Sequence, residues 1–157
     1  MSDPDSRPLA EYGLLIATFA TLFSVGTAAA RRQGRLPTRM SASDVVLGGI
    51  ATQKLSRIVT KDRVASPVRA PFTEVETVAP GEVEERPAGG GLRRALGELL
   101  TCPFCLAQWI GAAFALGLLY APRVTRLVMG MSAMVGVSDF VQIAYKAAEN
   151  RREPAAT

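Results

Sequence analysis

Two cysteines carry the sharpest local motif of the chain, Cys102-Pro103-Phe104-Cys105. Thiols at this spacing have three uses. They can begin a helix as small apolar side chains, with Thr101 or Cys102 as cap and Pro103 in the first helical position. They can form a pair that is redox-active or shares a metal between two copies of the chain. They can close a permanent disulfide, which a reducing cytosol disfavours. A soluble redox domain would place such a motif after a strand, and no strand pattern precedes it. Helical spacing puts Cys102, Cys105 and Trp109 on one face.

The second chemical candidate is Asp139, an acid inside an apolar run. Ionisable residues in such a place face a bundle interior and have a partner. Gln142 and Lys146 follow it on its own helix, and Lys54, Arg57 and Gln108 are the candidates on other elements. A site built on Asp139 would handle a proton, an ion or a lipid headgroup; the plainer use is a buried pair that fixes helix packing. A third cluster, Arg57, Lys61, Asp62, Arg63 and Arg69, has the composition of a phosphate or anionic-lipid site. The plainer reading is a solvated basic face.

Other chemistries are excluded. The 157 residues contain no histidine, which rules out a Ser-His-Asp triad, a Cys-His pair and a His-ligated metal. Two cysteines cannot close a four-thiolate zinc site within one chain. Gly89-Gly90-Gly91 lacks the GK[ST] of a phosphate loop and reads as a hinge. No cofactor and no resident metal are expected. Nucleic acid is not expected either, because the bases lie beside apolar runs without interleaved aromatic residues.

The elements that must position these groups are apolar. Tyr12 to Ala30 is uncharged, and 19 residues approach the roughly 20 needed to cross a bilayer core as a helix. A second run spans about 102–121 and a third about 125–147, broken apart by Pro122 into a helical hairpin. Residues 43–61 differ. Leu47, Ala51, Leu55 and Ile58 form one stripe and Lys54, Arg57 and Lys61 another, so this helix is expected to be amphipathic, lying in or dipping into the membrane surface; a fourth span is the alternative. The expected fold is an all-α integral membrane protein: three transmembrane helices plus one amphipathic or re-entrant helix in a single membrane domain, 9–148. Residues 1–8 and 149–157 are expected to be disordered tails.

Between these elements, residues 62–98 form a loop. Its prolines predict an extended path over 62–72. Two valine-containing segments around Ala79-Pro80-Gly81 form either a short β-hairpin or an acidic linker, and Leu92 to Leu100 is a short amphipathic helix. The 18 Lys and Arg exceed the 14 Asp and Glu. With three spans, an outside N-terminus leaves only Arg7, Arg123 and Arg126 outside. The positive-inside rule then predicts an outside N-terminus and a cytoplasmic C-terminus in a bacterial cell membrane. The collar Arg31, Arg32, Arg35 and Arg39 would lie beside the loop at the cytoplasmic face.

Leu99 to Trp109, with the cysteine motif, resembles a known family, the small bacterial membrane proteins catalogued as domain of unknown function thirteen-sixty. Lys54-Leu55-Ser56-Arg57, Thr60-Lys61-Asp62, Arg69-Ala70-Pro71-Phe72, Gly97-Glu98-Leu99-Leu100 and Ser138-Asp139-Phe140 extend the resemblance over roughly 44–147. It marks Glu98 and Trp109 as candidate site residues beside those above. The family pattern has a histidine near Gln53 or Lys54, which this chain lacks. The resemblance implies architecture and no activity. The first expectation for function is a non-enzymatic membrane component that binds the bilayer's anionic headgroups, a membrane protein partner or another copy of itself. The second is a thiol-dependent redox or metal-linked protein using Cys102 and Cys105. The third is a lipid-phosphate or ion-handling site around Asp139 and Arg57.

Overall fold

The computed structural model describes residues 8–78 and 82–152. The expected disordered tails fall largely outside these, and so does the Ala79-Pro80-Gly81 turn. Six α-helices and one hairpin follow in order. Helix α1 covers Leu9–Arg32, α2 Ala42–Lys61 and α3 Ser66–Arg69, after a 3-10 turn at Arg63–Ala65. Strands β1, Thr73–Val78, and β2, Val83–Pro87, come next, then α4 Gly91–Thr101, α5 Pro103–Tyr120 and α6 Pro122–Arg152.

The three expected apolar helices are present. α1, α5 and α6 are long and apolar enough to cross a membrane by length and composition. They leave much of that apolar surface uncovered: Ile16 is 68% exposed, Val25 63% and Ile143 65%.

Helix α2 corrects the expectation of a surface-lying helix. It packs lengthwise against α5 and α6, with Gly48 beside Met129, Thr52 beside Gly111, and Ile50 and Lys54 against Gly136. Gly111 and Gly136 lack a Cβ where α2 approaches, so the small residues of α5 and α6 serve packing within the chain. Its start is capped by Ser41, whose hydroxyl accepts the Asp44 N–H at 3.1 Å. Its length of about 30 Å matches its neighbours. Of the polar stripe that suggested a headgroup surface, Lys54 meets Asp139 of α6, and Arg57 and Lys61 meet Glu82 and Glu84 of the loop.

This packing also sets which parts of the chain share an end of the bundle. α2 runs back along the bundle, so α1 and α5 are parallel to each other and antiparallel to α2 and α6. The Tyr12 hydroxyl at the start of α1 donates to Glu98 of α4. At the other end, Tyr120 donates to the Gly26 carbonyl at 2.6 Å, and Arg35 lies over the Tyr120 ring. The start of α1, the end of α6 and residues 62–78 and 82–101 therefore share one end of the bundle. The Arg31–Arg39 collar shares the other with Arg123 and Arg126.

The loop folds into a small module. β1 and β2 pair antiparallel with an irregularity between Val75 and Thr77, so the hairpin and not the linker is formed. The 62–72 segment is not extended: Pro67 sits in the first turn of α3, where its missing N–H costs nothing. Helix α4 packs on β2, and Gly97 is the point of closest approach.

Candidate functional site

The structure divides the sequence candidates among three places. Lys54, Arg57, Asp62 and Asp139 come together at a polar cleft of about 480 Å³ between α2, α6 and the start of β2. Lys54 Nζ donates to Asp139 Oδ2 at 2.7 Å. Helix α2 turns Lys54 inward, 13% exposed, while Asp139 is 40% exposed toward the cleft. Lys54 is thus the partner that Asp139 required. Arg57 pairs with Glu82, which closes the cleft from the module side. Lys146 and Gln142 of α6 line it as well. Lys61 pairs with Glu84 at 3.0 Å. A double-mutant cycle of Lys54→Met with Asp139→Leu is expected to return a coupling of about 1 kcal/mol, the scale of polar pairs between packed helices. Thermal unfolding in detergent measures it, and a coupling near zero would mean that water separates the two groups.

Arg69 is not part of this cleft. Its side chain is fully buried and that of Glu85 is 2% exposed. Nε and Nη2 donate to Glu85 Oε2 and Oε1 at 3.1 and 2.9 Å. Nη1 reaches the carbonyls of Val59 and Asp62 at 2.6 and 3.1 Å. Ser66 and Thr73 hydroxyls complete the shell around Glu85. Burial pushes the Glu85 carboxyl up, but hydrogen bonds from Arg69, Ser66 and Thr73 outweigh it and hold the carboxyl below its ordinary value. A lipid phosphate would find no open face on this guanidinium, so Arg69 leaves the list of ligand-binding candidates. Arg63 is exposed on the 3-10 turn, apart from the cleft. The basic cluster of the sequence is therefore largely neutralised by the glutamates of β2 and the residue before it. The acids at 82, 84 and 85 were the signal for that pairing.

The third place is a mostly apolar groove of about 420 Å³ between α1, α4 and α5. Glu98, Cys105, Gln108 and Trp109 line it with Tyr12 and Phe19. Gln108 thus faces away from Asp139. Trp109 meets Phe19 edge-on, with ring centroids 5.3 Å apart. Glu98 accepts from Tyr12 and from Arg94, the latter at 3.1 Å. Cys102 caps α5, its sulfur accepting the Cys105 N–H at 3.3 Å, with Pro103 in the first turn as expected. Both thiols are free. No group of three or more His, Cys, Asp or Glu able to hold a metal occurs among the described residues.

Residues 47–145 match the family described as "Protein of unknown function (DUF1360)". The match runs from α2 through the module to α6 and leaves out α1. Among curated proteins, the chain is 28% identical over 102 residues to "Sporulation protein YjcA" of Bacillus subtilis strain 168, covering 62% of this chain and 86% of that protein. It is 24% identical over 110 residues to "UPF0713 protein YngL" of the same organism, covering 68% and 81%. No solved structure matches.

Proposed function

The chain belongs to the DUF1360 family of proteins of unknown function, and from that premise we propose that it is an integral membrane protein of four packed helices that acts by binding and not by catalysis. One observation carries this reading: the polarity of the bundle is inverted relative to that of a protein built for water. α2, which carries Asp44, Lys54, Arg57 and Lys61, is the inner helix, with Asp44, Ser56 and Thr60 buried. α1 and α5 turn Leu, Ile, Val and Phe outward, with one buried residue between them. In lipid, apolar side chains outside and matched charges inside is the low-energy arrangement. In water it would expose a large apolar surface that soluble monomers avoid.

Sidedness follows from the bases. Arg57, Lys61, Arg63, Arg69, Arg86, Arg93, Arg94, Lys146 and Arg151 lie on the module's side. Arg31, Arg32, Arg35, Arg39, Arg123 and Arg126 flank the other end. The excess favours a cytoplasmic module, with the start of α1 and the end of α6 on the same side. The polar cleft, open beside the module, is then the surface at which a cytoplasmic or membrane partner is met. This reading keeps the binding role and moves the N-terminus inside.

Thiol labelling of intact cells tests it. In a Cys102→Ser, Cys105→Ser background, Arg39→Cys is expected to react with an impermeant reagent from outside. Glu84→Cys is expected to react only after permeabilisation. The three-span arrangement requires protection at both positions, so protection at 39 would overturn the four-helix reading. A chain that remains monodisperse in buffer without detergent would overturn the membrane reading altogether.

A further inference from the structure

At the end of the bundle away from the module lies a second cavity, of about 480 Å³. Phe23 and Thr27 of α1 and Leu116 and Leu119 of α5 wall it, and Met40 of the α1–α2 linker covers it. Three arginines stand around it: Arg35, Arg39 and Arg126. Their charges are treated differently. Arg126 donates Nε and Nη2 to the two oxygens of Asp44, each at 2.8 Å, a bidentate pair that uses its charge within the chain. Arg35 rests over the Tyr120 ring at 5.6 Å and donates to the Tyr120 carbonyl at 3.4 Å, contacts that orient a guanidinium without neutralising it. Among the described residues no carboxylate pairs with Arg35 or Arg39. Every salt bridge that does form leaves these two cations out.

An apolar chamber of this size is in the range of ligand pockets, whose walls are mostly hydrophobic with a few placed polar groups. A rim of two uncompensated guanidiniums selects an anion, and the planar fork suits phosphate. The occupant must therefore be apolar along its length and anionic at one end. Phe23 and Leu116 also line a neighbouring apolar pocket with Phe19, Leu22 and Trp109, so the apolar wall continues along the seam of α1 and α5. We propose that this cavity holds an anionic phospholipid of the surrounding leaflet, with an acyl chain between α1 and α5 and the phosphate at Arg35 and Arg39. The proposal rests on the membrane reading above and adds a ligand and its site to it. Arg35, Arg39 and α1 lie outside the region matched to the family, whereas Leu116, Leu119 and Arg126 lie within it.

The test uses the full chain purified in mild detergent, with native mass spectrometry reporting bound lipid against phosphatidylglycerol and phosphatidylcholine titrations. The wild-type chain is expected to retain one phosphatidylglycerol and to prefer it to phosphatidylcholine. Arg35→Ala with Arg39→Ala is expected to weaken retention at least about tenfold, as loss of charge-assisted hydrogen bonds requires. Arg63→Ala with Arg151→Ala, at the module end, is expected to leave retention unchanged; an equal loss there would reduce the effect to net charge and overturn the site. Thr27→Trp, which fills the chamber and keeps both arginines, is expected to lose the lipid too. Retention undiminished in that variant would also overturn the site. Displacement by millimolar inorganic phosphate would show that the rim takes free phosphate and would overturn the lipid assignment. Helical content and melting of each variant, measured alongside, separate loss of ligand from loss of fold. A membrane-inserted wild-type chain without retained phosphatidylglycerol refutes this inference alone; a chain that does not enter membranes refutes both.

Discussion

Glu85→Ala is expected to destabilise the module by about 3–5 kcal/mol, because it strands a buried guanidinium. Arg69 is 0% exposed and has no water to turn to. The carbonyls of Val59 and Asp62 that remain can accept hydrogen bonds but carry no countercharge. Hydrogen exchange of β1 and β2, and protease cutting within 62–101, measure the loss. A cost below about 1 kcal/mol would mean that the pair is solvated. The double replacement Arg69→Met with Glu85→Leu removes both charges and is expected to recover most of the stability, since the desolvation cost disappears with the attraction. The same pair sets a pH dependence. The folded Glu85 carboxyl lies below its ordinary value of 4.5. Its contribution is therefore fully present above that value and is lost as the pH falls through the depressed folded value.

Gly97→Ala is expected to cost about 2 kcal/mol, the scale of an overpacked contact that cannot relax. A Cβ there would lie 2.5 Å from the Phe72 carbonyl oxygen and 3.1 Å from the Cα of Pro87. Both are backbone atoms, and the Phe72 carbonyl already accepts the Ala88 N–H at 2.9 Å. The sign is the informative part. Alanine is the better helix former by about 1 kcal/mol, so an unobstructed helical glycine gains from the change. Gly49 of α2 has nothing within 4 Å of a built Cβ, and Gly49→Ala is expected to raise the melting temperature. Melting of the two variants in one detergent decides the matter; a gain at 97 would mean that α4 can lift off β2.

Much of this architecture is legible in the sequence because it depends on short stretches of chain. The apolar runs, the break at Pro122 and the Cys102-Pro103 helix start follow from local composition and spacing. The place of α2 does not. Its stripe of bases has the same periodicity whether it faces headgroups or another helix. The deciding residues, Arg126 and Asp139, lie more than 80 positions away. The count of bases by side rests on the same point, because it takes residues 43–61 not to run the length of the bundle. Arg69 was hidden for a related reason: nothing around it in sequence distinguishes a surface arginine from a buried one, and only Glu85, brought back by the hairpin, shows the difference. Asp139 was easier, because an acid in an apolar helix demands a partner and few bases were available.

The central position of α2 bears on how the polypeptide is made. The ribosome delivers this helix second, while α6, which matches its Asp44 with Arg126 and its Lys54 with Asp139, is delivered last. A nascent chain ending before Pro103 would hold an inner helix with no inner place to go. Its final packing must wait until α6 is made, so a premature stop in the second half forfeits the packing of the first half as well.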